Sequence, residues 1–93
     1  MDQRQQLALM DKIIRELDDL EKSQTSVLKK LAQIEADNIN LNVDLLGEAL
    51  PGIHEEVDDA KEKVSALLEQ FKEHRDNFEK DNQQYLAETP GKE

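Results

Sequence analysis

The sequence has no cysteine and no tryptophan, 3 glycines, 2 prolines and only 3% aromatic residues. Without cysteine there is no disulfide, no cysteine-based zinc site and no thiol chemistry, which fits a reducing compartment. No apolar run approaches the ~18–20 residues needed to cross a bilayer, so no membrane insertion is expected. The segment Met1-Asp2-Gln3-Arg4-Gln5-Gln6 offers no basic stretch leading into an apolar core. A cleavable secretory signal is therefore not expected, and the expectation is a cytoplasmic protein or one co-exported without such a signal. Positive charge is also scarce: 12 bases stand against 22 acids, for a net charge of -10. The excess is spread along the chain, with 10 acids and 6 bases in residues 1–50 and 12 and 6 in residues 51–93. A chain charged in this way repels nucleic-acid phosphates and anionic lipid heads, so no nucleic-acid partner is expected.

What the sequence does contain is a seven-residue rhythm. From Met10 the apolar seam runs through Ile13, Leu17, Leu20, Val27, Leu31, Ile34, Leu41 and Leu45, interrupted only by Gln24 and Asn38. A second seam runs through Ile53, Val57, Ala60, Val64, Leu67, Phe71, Phe78 and Tyr85, with His74 and Asp81 as its polar members. Steps alternating three and four place each seam along one face of a helix. Between them, Gly47 and Leu50-Pro51-Gly52 read as a turn, with Pro51 in the first turn of a new helix. The pattern predicts one all-α domain over 1–93: a helix at 4–47, a turn at 48–52, a helix at 52–87 and a frayed tail at 88–93. Asn38-Ile39-Asn40-Leu41-Asn42-Val43 alternates polar and apolar residues, so a bend in the first helix near 38–43 is a competing expectation.

Folding the helices back as an antiparallel hairpin about residue 49 gives an internal seam of Leu20, Val27, Leu31, Ile34, Val64, Leu67, Phe71 and Phe78. In this register Gln24 faces His74 and the two form a polar layer. Other apolar residues are left over. Ile14 and Leu28 stand beside the first seam, and Leu68 beside the second. Near the turn, Ile39, Val43, Leu46 and Leu50 form a second stripe. A helix that is apolar on two sides is covered on two sides. These seven residues are accordingly the predicted partner interface, and at least one further helical layer is expected, from a second copy or another protein. The same seams are also compatible with an extended parallel dimer of rods kinked at Pro51.

The polar constellations point to no chemistry. His54-Glu55-Glu56-Val57-Asp58 begins like a zinc-protease motif, but Asp58 sits where the second histidine is required. Residues 37–48 resemble a calcium loop in composition only: a frame started at Asp37 puts Ile39 and Leu41 at ligand positions, and one started at Asn38 puts Val43 where the loop needs glycine. Ser23, Thr25, Ser26 and Ser65 have no histidine at useful spacing. No catalytic residue, metal site, cofactor or small-molecule site is expected. The acidic groups Asp18-Asp19-Glu21 and Glu55-Glu56-Asp58-Asp59 read as solvated faces or as docking sites for a basic partner. Phe71, Phe78 and Tyr85, at seven-residue spacing, read as seam filling or as anchors for a partner's groove.

A hairpin of two long helices turning at Leu50-Pro51-Gly52, with aromatic residues late in its second helix, resembles the small partner proteins of Gram-positive type VII secretion. These include the Trp-x-Gly hairpin family and the helical proteins associated with LXG toxins. The resemblance covers residues 4–87. The turn has no tryptophan. The family's export signal, an aromatic residue followed four residues later by an acid, is also absent: Asn82 follows Phe78 at that distance and Thr89 follows Tyr85, while Asp81 and Glu88 come one residue early. The resemblance implies hairpins joined into a four-helix bundle and a chaperone or targeting partner of a secreted toxin. The competing expectations are a self-assembling coiled-coil protein and a small subunit of a heteromeric helical complex. All three are non-enzymatic protein–protein interaction modules.

Overall fold

The first helix starts where Asp2 caps it. The Asp2 carboxylate accepts from the Gln5 backbone N–H at 2.8 Å, and the Gln5 side chain accepts from the Asp2 N–H at 2.9 Å. Two orphan donors of the first turn are thereby satisfied reciprocally. From this cap α1 runs over Gln3–Leu41, followed by α2 over Asp44–Asp81 and a short α3 over Gln83–Ala87. This computed structural model describes residues 1–87, and among them there is no strand. The expected tail at 88–93 lies outside the described residues. The chain is all-α, and its two long helices pack as a hairpin measuring 71 × 19 × 17 Å.

The reversal comes earlier than the proline-glycine signal suggests. Asn42 adopts the left-handed conformation (φ 59°, ψ 51°), a state asparagine tolerates better than most residues, and its N–H donates to the Asn38 carbonyl. The Asn38 side chain then clasps the next residue: its amide donates to the Val43 carbonyl at 3.1 Å, and its oxygen accepts from the Val43 N–H at 2.9 Å. Two residues, Asn42 and Val43, thus make the whole turn, and Asp44 enters α2 where the helix dipole favours an acid. The polar-apolar alternation of 38–43 marks this turn, so the first helix stops at 41 rather than 47. Pro51 lies inside α2. Its missing N–H leaves the Gly47 carbonyl without its helical partner. At Gly47 itself, an added Cβ would come 3.7 Å from the Asn38 amide nitrogen, which shows how closely the two helices approach beside the turn.

Moving the turn moves the register. Cross-helix contacts join residues 35 and 54, 21 and 65, and 11 and 75, whose numbers add to 89, 86 and 86 rather than the 98 expected from a turn at residue 49. The seam actually closed runs through Leu7, Met10, Ile14, Leu17, Leu28 and Leu31 on α1, all half-buried or buried. On α2 it runs through Leu50, Val57, Val64, Leu68, Phe71 and Phe78, again half-buried or buried. The residues with least exposure are Leu68 at 4%, Leu50 at 7% and Leu31 at 8%, and no described side chain is fully enclosed. At the far end Asn82 closes α2 by donating its side-chain amide to the Phe78 carbonyl at 2.8 Å.

Candidate functional site: an apolar face shared by both helices

The register exchanges the expected roles of seam and surface. Of the predicted internal seam, Leu31 is buried and Val64, Phe71 and Phe78 are half-buried, but Leu20, Val27, Ile34 and Leu67 are exposed. Of the predicted interface, Leu50 and Leu68 are buried and Ile14, Leu28 and Leu46 are half-buried within the hairpin. Only Ile39, at 81%, and Val43 remain exposed. Seam and flank share the same period, so a shift of one position along the helical wheel turned one into the other.

The exposed set is ordered. On α1, exposed Leu20, Val27, Ile34 and Leu41 recur every seven residues and half-buried Ile13 continues the row, each one residue before or three after a seam position. On α2, Leu46, Ile53, Ala60, Leu67 and His74 occupy the corresponding positions. In an antiparallel pair, a two-fold normal to the plane of the two axes relates the helices, so equivalent flanks fall on the same side of that plane. The two rows therefore lie next to each other, with Leu20 at the level of Leu67, Val27 at Ala60 and Ile34 at Ile53. Leu41 ends the strip at the turn end and is exposed at 66%. The face crosses both helices and runs most of the hairpin's length.

The opposite flank is polar. Glu48, Glu55, Glu62, Glu69 and Asp76 form an exposed acidic row along α2, again at seven-residue spacing. Arg15, Lys22 and Lys29 form a basic row along α1 on the same side. Lys22 is held at 2.9 Å by Asp18, and its pKa is raised by that hydrogen bond and charge. Of the acid groups noted in the sequence, Glu21 lies in the seam and Glu56 borders the apolar face, while Asp19, Glu55, Asp58 and Asp59 are exposed. Near the turn, Glu35, Asn38, Ile39, Leu46, Leu50 and Pro51 help line an open depression of about 300 Å³.

No protein-family model, no curated protein and no solved structure matches this chain. Its surface geometry carries the functional argument.

Polar contacts between the helices fix their alignment. The Arg75 Nε donates to Asp11 at 2.7 Å across the hairpin, and its Nη1 donates to Glu79 at 2.8 Å and to Asp76 at 3.1 Å. The hydrogen bond to Asp11, with that to Asp76, holds the Arg75 guanidinium well above its ordinary pKa. Closer to the turn His54 meets Glu35 at 3.0 Å. Midway, the Ser65 hydroxyl donates to Glu21, and Gln24 lies at the level of Lys61. The Gln24 Oε1 is enclosed without a hydrogen-bond partner. Gln24 and His74 do not form the expected polar layer. His74 is exposed, and its ring stacks on Phe71 with centroids 5.9 Å apart. Tyr85 lies in α3, half exposed. Among the described residues no group of three histidines or acids is placed to hold a metal ion, and no helix is long and apolar enough to cross a membrane.

What the sequence reading missed was the role of Leu41 and Ile53 as surface residues. The signal was available. The row at 13, 20, 27, 34 and 41 is apolar at every position, whereas the true seam carries Glu21, Gln24, Glu35 and Asn38.

Proposed function

We propose that this chain is a non-enzymatic interaction module that works by packing its two-helix apolar face against partner helices. One observation carries the reading: the exposed residues Leu20, Val27, Ile34 and Leu41 of α1 and Ile53 and Leu67 of α2 gather on one flank of both helices. Single exposed leucines are ordinary on protein surfaces, but a contiguous patch of this extent marks a contact. The partner class that fits is helical, because rows at seven-residue spacing present ridges and grooves for another helix. In its more specific form, the proposal is a chaperone or targeting partner of a secreted LXG-type toxin, burying the toxin's apolar helices. This form is supported by the two-helix hairpin shape that the resemblance to type VII partner proteins rests on.

The test is co-expression with a candidate LXG toxin's helical N-terminal region. A soluble complex is expected, lost in the double variant Leu20→Glu/Leu67→Glu and retained in Lys29→Glu/Glu62→Lys on the polar flank. Loss of the complex only through the polar flank would assign the contact to that flank. No complex with the toxin in any form would remove the toxin-partner reading. The second reading, self-assembly as a structural coiled coil, is favoured by the self-complementary borders of the same face.

A further inference from the structure

We infer that the occupant of the apolar face is a second copy of this chain, related by a two-fold axis parallel to the hairpin's long axis. Both turns then lie at the same end, and α1 of each copy packs on α2 of the other. The inference rests on the reading of this face as a docking surface and adds its occupant and orientation.

The area fits. From Ile13 to Leu41 the strip is ~42 Å long at 1.5 Å rise per residue. Across a hairpin 19 Å wide this gives about 800 Å² per copy, the share typical of a stable protein–protein interface. The need is also present, since only Leu31, Leu50 and Leu68 count as buried in the single hairpin, and so short a chain has little core of its own.

Charge distinguishes a second copy from a basic partner. The chain carries -10, yet the borders of this face hold only Glu16, Lys30 and Asp37 on α1 and Glu56 and Lys63 on α2. A basic helix would find its complement on the acidic row of the other flank. The nearly neutral borders instead complement themselves. With the axis along the hairpin, Lys30 of one copy faces Glu56 of the second, Glu16 faces Gln70 and Lys63 faces Ser23. No like charges meet.

The apolar gradient agrees. The face is richest at the turn end, where Leu41, Leu46 and Ile53 lie, and it ends in His74 and Asp81. Turns together place the rich ends on each other and leave both polar ends in water. Turns apart would lay Leu46 on His74.

The chain has no cysteine, so Asn40→Cys supplies one label site on the exposed outside of α1. The first readout is light-scattering mass on a sizing column over the micromolar range. Twice the 10.7 kDa of one chain is expected, falling to the single mass in Leu20→Glu/Leu67→Glu with helicity retained. Ile53→Lys is an independent variant should the double change disturb folding. The second readout is the distance between spin labels at Asn40→Cys. Turns together predict about 25–30 Å, from helices packed 8–10 Å apart, and turns apart predict ~50 Å along the rods. A wild-type monomer throughout overturns the second copy as occupant. A dimer that persists in both variants overturns the face, and a label distance near 50 Å overturns the orientation. The broader docking reading fails separately, when the same face variants leave a heterologous complex intact.

Discussion

The two flanks of the hairpin seam are equally close to it, on the same helices, and differ completely. One flank is Ile13, Leu20, Val27, Ile34 and Leu41 beside Leu46, Ile53, Ala60 and Leu67. The other is a basic row on α1 and an acidic row on α2. The seam between them is not purely apolar, since it includes Glu21, Gln24, Glu35, His54 and Arg75. The purest apolar row of α1 therefore lies outside the seam, whereas on α2 Leu50, Val57, Val64, Phe71 and Phe78 keep an unbroken apolar row inside it. A chain that needed only to form a hairpin would put its best apolar row in the seam. Here α1 carries a mixed seam and leaves most of its better row exposed.

The comparison is broken most severely by charge placed in the seam. Leu68→Asp puts an unpaired carboxylate at the least exposed position, and a loss of about 3–5 kcal/mol is expected in urea unfolding followed by circular dichroism. Leu31→Asp should behave alike. Leu20→Asp on the apolar flank should leave the isolated hairpin's stability within about 0.5 kcal/mol. These curves belong at one fixed protein concentration, because association adds to apparent stability. Equal losses at Leu68 and Leu20 would show that flank and seam are not distinct.

Pro51→Ala tests the turn's position from the other direction. A proline inside α2 leaves the Gly47 carbonyl unbonded, so its replacement should raise stability by about 1–3 kcal/mol. A helix starting at Pro51 would gain nothing. Asn38→Ala removes both hydrogen bonds to Val43 and should cost about 1–2 kcal/mol, read as a lower urea midpoint. Val43 caps α2 without a side-chain hydrogen bond, so Val43→Asp should add about 1 kcal/mol by supplying one.

The smallest effect concerns the polar ties. Arg75→Met removes the link to Asp11 and should cost about 0.5–1 kcal/mol, since the pair is partly solvated. The raised Arg75 pKa sets the sign of its pH dependence. Stability from that charge is complete below the ordinary arginine value and is lost only as pH rises beyond the raised one. The difference between wild type and Arg75→Met should therefore be flat from pH 6 to pH 10 by thermal melting. A difference that fades within that window would show that the guanidinium is not the group responsible.

Much of the architecture was legible from residue spacing. Steps of three and four over Met10–Leu45 and Ile53–Tyr85 announced two long amphipathic helices, and the spare apolar residues announced a further contact. The turn was misplaced because Pro51-Gly52 is a strong local signal, while Asn38 and Asn42 act through a side-chain clasp and one left-handed residue that spacing does not reveal. Once the turn was misplaced, Ile14, Leu28, Leu50 and Leu68 read as surface, and Leu20, Val27, Ile34 and Leu67 as seam.

The sequence by itself determined the helices, their amphipathic period, the absence of membrane-length apolar runs and the existence of more apolar surface than one hairpin seam uses. These follow from local spacing and composition, which act within a few turns of one helix. Only the tertiary structure decided which apolar row meets the partner helix. Adjacent rows share the seven-residue period, and the choice between them depends on where the chain reverses and which residues that reversal brings level across the seam.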